Sequence, residues 1–313
     1  MQINWVLLIC YVLAIIIEIG LPIALGVWLL RKYRSSWILV VTGVATYALS
    51  ELIHIPALNG VQTLFNNGTL PVPAAKWIPL LNGVVVGLMV GLLENILRWI
   101  GFKINGKNSK PFRSAVALGI GHGGIELAMV GVLLAVNLGS VLFYNAGAAY
   151  AKGATAATVQ GVLSQIAAYW ASPWYYSVLS LFEHLVTLSS QFVLSVMVWK
   201  SVAKGQPLWL LWAVLYQTIT EGITTFLSGM KWGLWEIEGV LALFLLLNIL
   251  IMYFFWNGEG GLEAEPEDEE EDEDEEDEDE DEDDDEDEDD ENLDEDEEDE
   301  NEEDEDEDEG TAA

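Results

Sequence analysis

The chain has one cysteine, Cys10, so it forms no internal disulfide and needs no oxidising compartment. Basic residues are also scarce: 13 Lys and Arg stand against 51 Asp and Glu, a formal net charge of −38, which excludes the basic balance suited to nucleic acid. No Lys or Arg precedes the first hydrophobic run, and that run is too long for a cleaved signal peptide, so it reads as a retained span. The hydropathy shows no clear repeat between halves, which weakens a transporter reading. From Glu259 to Glu309 there is no Lys, Arg or aromatic residue among 43 acids.

What is present is segregated. Residues 1–257 hold all thirteen basic and only eight acidic residues, a net +5, within a strongly apolar composition. The chain therefore divides into a hydrophobic body, 1–257, and an acidic tail, 258–313. The body excludes a soluble globular enzyme. The tail has too little apolar surface to offset chain entropy and too much like charge to compact, so a disordered segment is expected there. Such a tail adds solubility and charge, could attract basic proteins or loosely hold divalent cations, and would be pushed away from an anionic leaflet.

A membrane-crossing helix needs roughly 20 mostly apolar residues. Seven stretches qualify, at about 3–30, 37–58, 77–100, 114–137, 174–199, 208–228 and 233–256. An eighth crossing is open at 141–172, where an Ala- and Gly-rich segment could instead form a short interfacial or re-entrant helix. The expected fold class is all-α, a polytopic transmembrane bundle. Nine basic residues (Arg31, Lys32, Arg34, Lys103, Lys107, Lys110, Arg113, Lys200 and Lys204) fall in the connections after the first, third and fifth stretches; Lys76, Lys152 and Lys231 fall in the alternate ones. That bias predicts an N-terminus outside and the acidic tail in the cytoplasm.

The eight acids of the body (Glu18, Glu51, Glu94, Glu126, Glu183, Glu221, Glu236, Glu238) and all three histidines (His54, His122, His184) lie in or at the ends of the hydrophobic stretches. A charge at the centre of a span costs about 3 kcal/mol on insertion scales, whereas a loop would hold it at almost no cost. Buried Glu and His facing a bundle interior mark a proton path, a metal site or a hydrolytic centre. Glu94 and Arg98 are four apart on one helix face, spaced for an ion pair that is either structural or functional. His122 and Glu126 repeat that spacing, so they could coligate Zn²⁺ or hold a water for the carboxylate to deprotonate. Gly119, Gly121, Gly123 and Gly124 strip bulk from the same region and admit either a neighbouring helix or a substrate. Glu183 and His184 are adjacent and point about 100° apart, while His184, Gln191 and Ser195 fall on one stripe. Gln217, Glu221, Thr224 or Thr225, and Ser228 form another stripe, and Glu51 with His54 could hydrogen-bond. Glu18, Glu236 and Glu238 have no assigned role.

With GIGHGGIE at residues 119–126 and the upstream Glu94 and Arg98, the body resembles the YhfC family of intramembrane metalloproteases, itself similar to the CAAX prenyl protease and bacteriocin-processing superfamily. His122, Gly123, Gly124 and Glu126 carry its most specific mark, and SELIHIPAL resembles the family's N-terminal region. Four departures stand out. Leu93 replaces one of a pair of glutamates; His184 follows Glu183 where the family usually has Arg; Gln191 stands eight residues after Glu183, where the family usually has His; Gln217 stands before Glu221, again in place of His.

The resemblance implies a prokaryotic plasma-membrane peptidase that uses Glu and His from separate spans to activate water on a membrane protein or peptide substrate. Glu126 or Glu94 would be the base, with His122 assisting, Arg98 paired to Glu94, and Glu183, His184 and Glu221 completing a polar cavity. A Zn²⁺ ion would be held by His122, Glu126 and His184. Because Gln is neither a base nor a strong Zn²⁺ ligand, a catalytically degenerate scaffold, with the tail recruiting basic partners, is the alternative; a proton-coupled transporter is a third.

Overall fold

The computed structural model describes residues 2–145 and 155–262, and among these there are eight α-helices and no strand. They are α1 (Trp5–Lys32), α2 (Trp37–Asn66), α3 (Ile78–Asn105), α4 (Phe112–Asn145), α5 (Ala156–Ala171), α6 (Tyr175–Ala203), α7 (Leu208–Gly229) and α8 (Leu234–Gly258). Every one of the seven expected stretches is a helix. Six are long and apolar enough to cross a membrane: α1, α2, α3 with its short 3₁₀ flanks, α4, α6 and α8. The seventh, α7, falls outside that set because Gln217, Thr218, Thr220, Glu221, Thr224 and Thr225 lower its hydropathy. The ambiguous segment resolves into the end of α4 and the 16-residue α5, too short to span; residues 146–154 lie outside the described residues. So does nearly all of the expected disordered tail, from 263 onward.

Local chemistry starts and stops these helices. Asn4 caps α1 by accepting from the Leu7 amide at 3.2 Å, and its own amide donates to the Trp170 carbonyl of α5 at 3.3 Å. Tyr11 of α1 stacks on Tyr169 with centroids 5.1 Å apart, so α5 docks beside the start of α1. At the far end of α8, Glu259 pairs with Lys200 and, at 3.2 Å, with Lys204. Burial alone would raise its carboxyl, but the hydrogen bonds and charges of the two lysines hold it below the usual carboxylate range.

The bundle is held by glycine-mediated contact. Gly83, Gly87 and Gly91 form a stripe at four-residue spacing on α3, and a Cβ at Gly83 would lie 2.6 Å from the Gly222 carbonyl of α7. Gly87 faces the Thr218 carbonyl in the same way. Without side chains between them the two backbones touch, which makes α3 and α7 the most extensively packed pair. On α4, Gly121 meets the Val40 carbonyl of α2, Gly119 meets Phe192 and Ser195 of α6, Gly123 meets Gln191, and Gly124 meets Pro22 of α1. The glycines of GIGHGGIE thus admit neighbouring helices on three sides. In contrast, α8 exposes Leu243, Leu246, Leu250 and Phe254, a face that lipid must cover.

Candidate functional site

The polar residues of α3, α4, α6 and α7 converge where the glycines bring the backbones together. Glu94 is the hub: its Oε2 accepts from Arg98 Nη2 at 2.9 Å and from Gln217 Nε2 at 2.6 Å, and it lies 3.1 Å from His122 Nε2. Arg98 also donates to Gln191 Oε1 and, at 3.2 Å, to Asn95 Oδ1. Asn95 Nδ2 donates to Gln217 Oε1 at 2.7 Å. His122 Nδ1 is 3.0 Å from Thr46 Oγ1, and Tyr47 presses edge-on against the imidazole. Glu94, Asn95, Arg98, His122, Gln191 and Gln217 are all buried. This is a close-packed network in which a guanidinium neutralises the carboxylate and two glutamines bridge the helices.

Glu126 sits at its edge and is half-buried. One carboxylate oxygen accepts from Gln191 Nε2 at 2.7 Å; among the described residues nothing donates to the other. Glu126 is close enough to Glu221 for their charges to interact. His122 and Glu126 share a helix face but engage different partners, His122 turning to Glu94 and Glu126 to Gln191.

The remaining expected site residues form a second place. Glu183 and His184 of α6 and Glu221 of α7 line a cavity of about 290 Å³, together with Thr187, Ser190, Thr220 and Thr224, and Ile237, Leu241 and Phe244 of α8 close one wall. His184 pairs through Nδ1 with Oε1 of Glu18, 2.9 Å away on α1. Glu18 is fully buried, and its sequence position in mid-span carried no sign of that partner. Glu238 is likewise buried, with its carboxyl against that of Glu183. Glu51 and His54 do meet, 3.5 Å apart on α2, away from both places.

This architecture joins the GIGHGGIE helix, the Glu94–Arg98 pair and two glutamine-bearing helices around one point, and the comparison of sequences agrees with it. The profile of the family described as YhfC intramembrane metalloprotease matches residues 16–245. The chain belongs to this family. It is also 26% identical over 201 residues to the "Uncharacterized membrane protein YhfC" of Bacillus subtilis (strain 168), covering 64% of this chain and 76% of that protein. No solved structure matches it. The YhfC match spans every polar residue of both places, from Glu18 to Glu238, and identifies an integral membrane protein.

The family's description implies a metal, and the donors present do not fit one. Glu94 Oε2, the atom best placed to ligate, is already taken by Arg98 and Gln217, and a cation there would meet the guanidinium. Gln191 and Gln217 offer amides, which hold zinc poorly. The trio His122, Glu126 and His184 is not assembled, since each engages a different partner. Among the described residues no three His, Cys, Asp or Glu are grouped to hold an ion.

Proposed function

We propose that this chain is an intramembrane peptidase in which Glu126 is the general base. The observation that carries the reading is its half-engaged carboxylate, fixed on one oxygen by Gln191 and open on the other, within charge-interaction range of Glu221, which lines a polar cavity. A water on the open oxygen would pass a proton to Glu126 as it attacks a peptide carbonyl, and the same carboxyl would return the proton to the leaving amine. Arg98, Glu94 and His122 would hold this geometry without touching the reacting atoms. In the membrane, the basic connections would face the cytoplasm with the tail, placing the N-terminus outside. Residues 258–313 would form a separate acidic segment that attracts basic proteins.

Fragments of membrane proteins from cells expressing wild type or Glu126→Gln, compared by mass spectrometry of new N-termini, test this. New termini in or beside membrane segments should appear only with wild type, and in isolated membranes their production should survive a metal chelator. Identical termini in the two samples would sink the peptidase reading, and loss on chelation would sink its metal-free form. A specific observation supports the scaffold alternative: His122 engages protein partners through both ring nitrogens, and Oε2 of Glu94 is held at once by Arg98, Gln217 and His122.

A further inference from the structure

The cavity between α6, α7 and α8 presents acceptors and almost no donors. Thr187 Oγ1 donates to the Glu183 carbonyl at 3.2 Å, Ser190 Oγ to that of Val186 at 3.2 Å, Thr220 Oγ1 to that of Gln217 at 3.1 Å, and Thr224 Oγ1 to that of Glu221 at 3.0 Å. These four hydroxyl protons are thereby committed to their own helices, and Ser190 Oγ also accepts from Asn248 Nδ2 at 2.8 Å; apart from Ser228 and His184, what the polar lining offers the cavity is oxygen lone pairs. Two carboxylates, Glu183 and Glu221, join them, and among the described residues no Lys or Arg lines the space.

Independent of the lining itself, the carboxylates around it have no Lys or Arg partner among the described residues. Glu238 is 6% exposed and its carboxyl lies against that of Glu183, a second acid rather than a cation. Oε2 of the fully buried Glu18, behind His184, is unpartnered. Buried anions normally sit against a cation, as Glu94 does against Arg98. At roughly 30 Å³ per water, the volume far exceeds one inorganic ion and suits an extended side chain. The carboxylates are also too dispersed to converge on a metal.

We infer that this cavity binds the cationic side chain of a substrate, the ammonium of Lys or the guanidinium of Arg, on a peptide lying along α6 and α7. The inference rests on the peptidase reading for the word substrate, but the binding chemistry does not depend on cleavage. Such a group supplies only donors and positive charge, which is what the lining lacks, while Ile237, Leu241 and Phe244 cover its aliphatic stem.

The test uses the full-length protein in nanodiscs and three fluorescent apolar peptides of roughly 20 residues, identical except for one Lys, Arg or Met near one end. The Lys and Arg peptides should bind about tenfold tighter than the Met peptide, the size expected for one charge-assisted hydrogen bond. Glu183→Gln and Glu221→Gln should each remove most of that preference while leaving Met-peptide binding, and hence the fold, intact. Should either variant lose the Met peptide too, Thr187→Val with Thr224→Val removes two acceptors at little change of shape and should narrow the preference. Equal binding of the three peptides by wild type, or a preference that persists in all these variants, overturns the inference. So does a thermal shift by Na⁺ or Ca²⁺ alone that depends on Glu183 and Glu221 without peptide discrimination, since the cavity would then be an inorganic-ion site. Cleavage is not read, so failure of the peptidase reading leaves this outcome distinguishable.

Discussion

Two polar places lie within the same helices, and they are built on opposite terms. Around Glu94 the protein supplies its own countercharge and donors: Arg98 and Gln217 donate to the carboxylate, and Gln191 and Asn95 accept from Arg98 in turn. One to two turns away along α6 and α7, carboxylates and hydroxyl lone pairs face a space that no Lys or Arg lines among the described residues. The first arrangement carries its own countercharge, with Arg98 Nε its one buried atom left unpartnered among the described residues, and acts as structure. The second lacks such a countercharge. In a membrane interior, where an unpaired charge is costly, an incomplete polar cluster is the stronger mark of a binding site.

The contrast is broken most directly by removing charges singly. Arg98→Met leaves Glu94 buried without its partner and should destabilise by about 3–5 kcal/mol, read as loss of folded, monodisperse protein and a lower unfolding temperature in detergent. Adding Glu94→Gln to it should restore much of the loss. In the cavity, Glu183→Gln removes one of two facing carboxyls and should be neutral or stabilising. If Arg98→Met were tolerated as easily as Glu183→Gln, the inner network would not be structural and the distinction would fail.

The same contrast measures what the sequence could reveal. The helices were legible because long apolar runs with polar punctuation have few alternatives in lipid. The Glu94–Arg98 pair was legible because four-residue spacing brings side chains together within one helix. Contacts between helices were not. Glu18 and His184 are 166 residues apart, and no local spacing links them. The glutamines at 191 and 217 read as departures from a catalytic pattern; their joint grip on Arg98 depends on how α3, α6 and α7 cross. A hydropathy reading also cannot foresee that α7, with its polar face, packs through backbone contact on α3. One clue was missed: Gly83, Gly87 and Gly91 announce a close helix approach by spacing alone.

That stripe sharpens the comparison at its next level, because both places depend on the α3–α7 contact. In Gly87→Ala the new Cβ would run into the Thr218 backbone, which cannot swing aside as a side chain can. The helices would have to part, at about 1–3 kcal/mol. The expected readout is a lower unfolding temperature and weakened peptide binding together. Gly139→Ala, where nothing lies within 4 Å, is the matched control and should leave both unchanged.

The smallest effect lies outside the membrane, where Glu259 repeats the logic of the closed network in water. Its carboxyl is held below the usual range by Lys200 and Lys204. A depressed folded value means that the pairing stabilises fully above the ordinary carboxylate range and is lost as pH falls through the lowered value. Glu259→Gln should therefore unfold slightly earlier than wild type at pH 7, by about 1 kcal/mol, because Lys204 is half-exposed at the end of the bundle. The two unfolding temperatures should converge as pH is lowered into strong acid. A gap that stays constant across that range would mean that Glu259 acts by packing against the end of α8, and that the charge pairing seen at Glu94 has no counterpart at the bundle's edge.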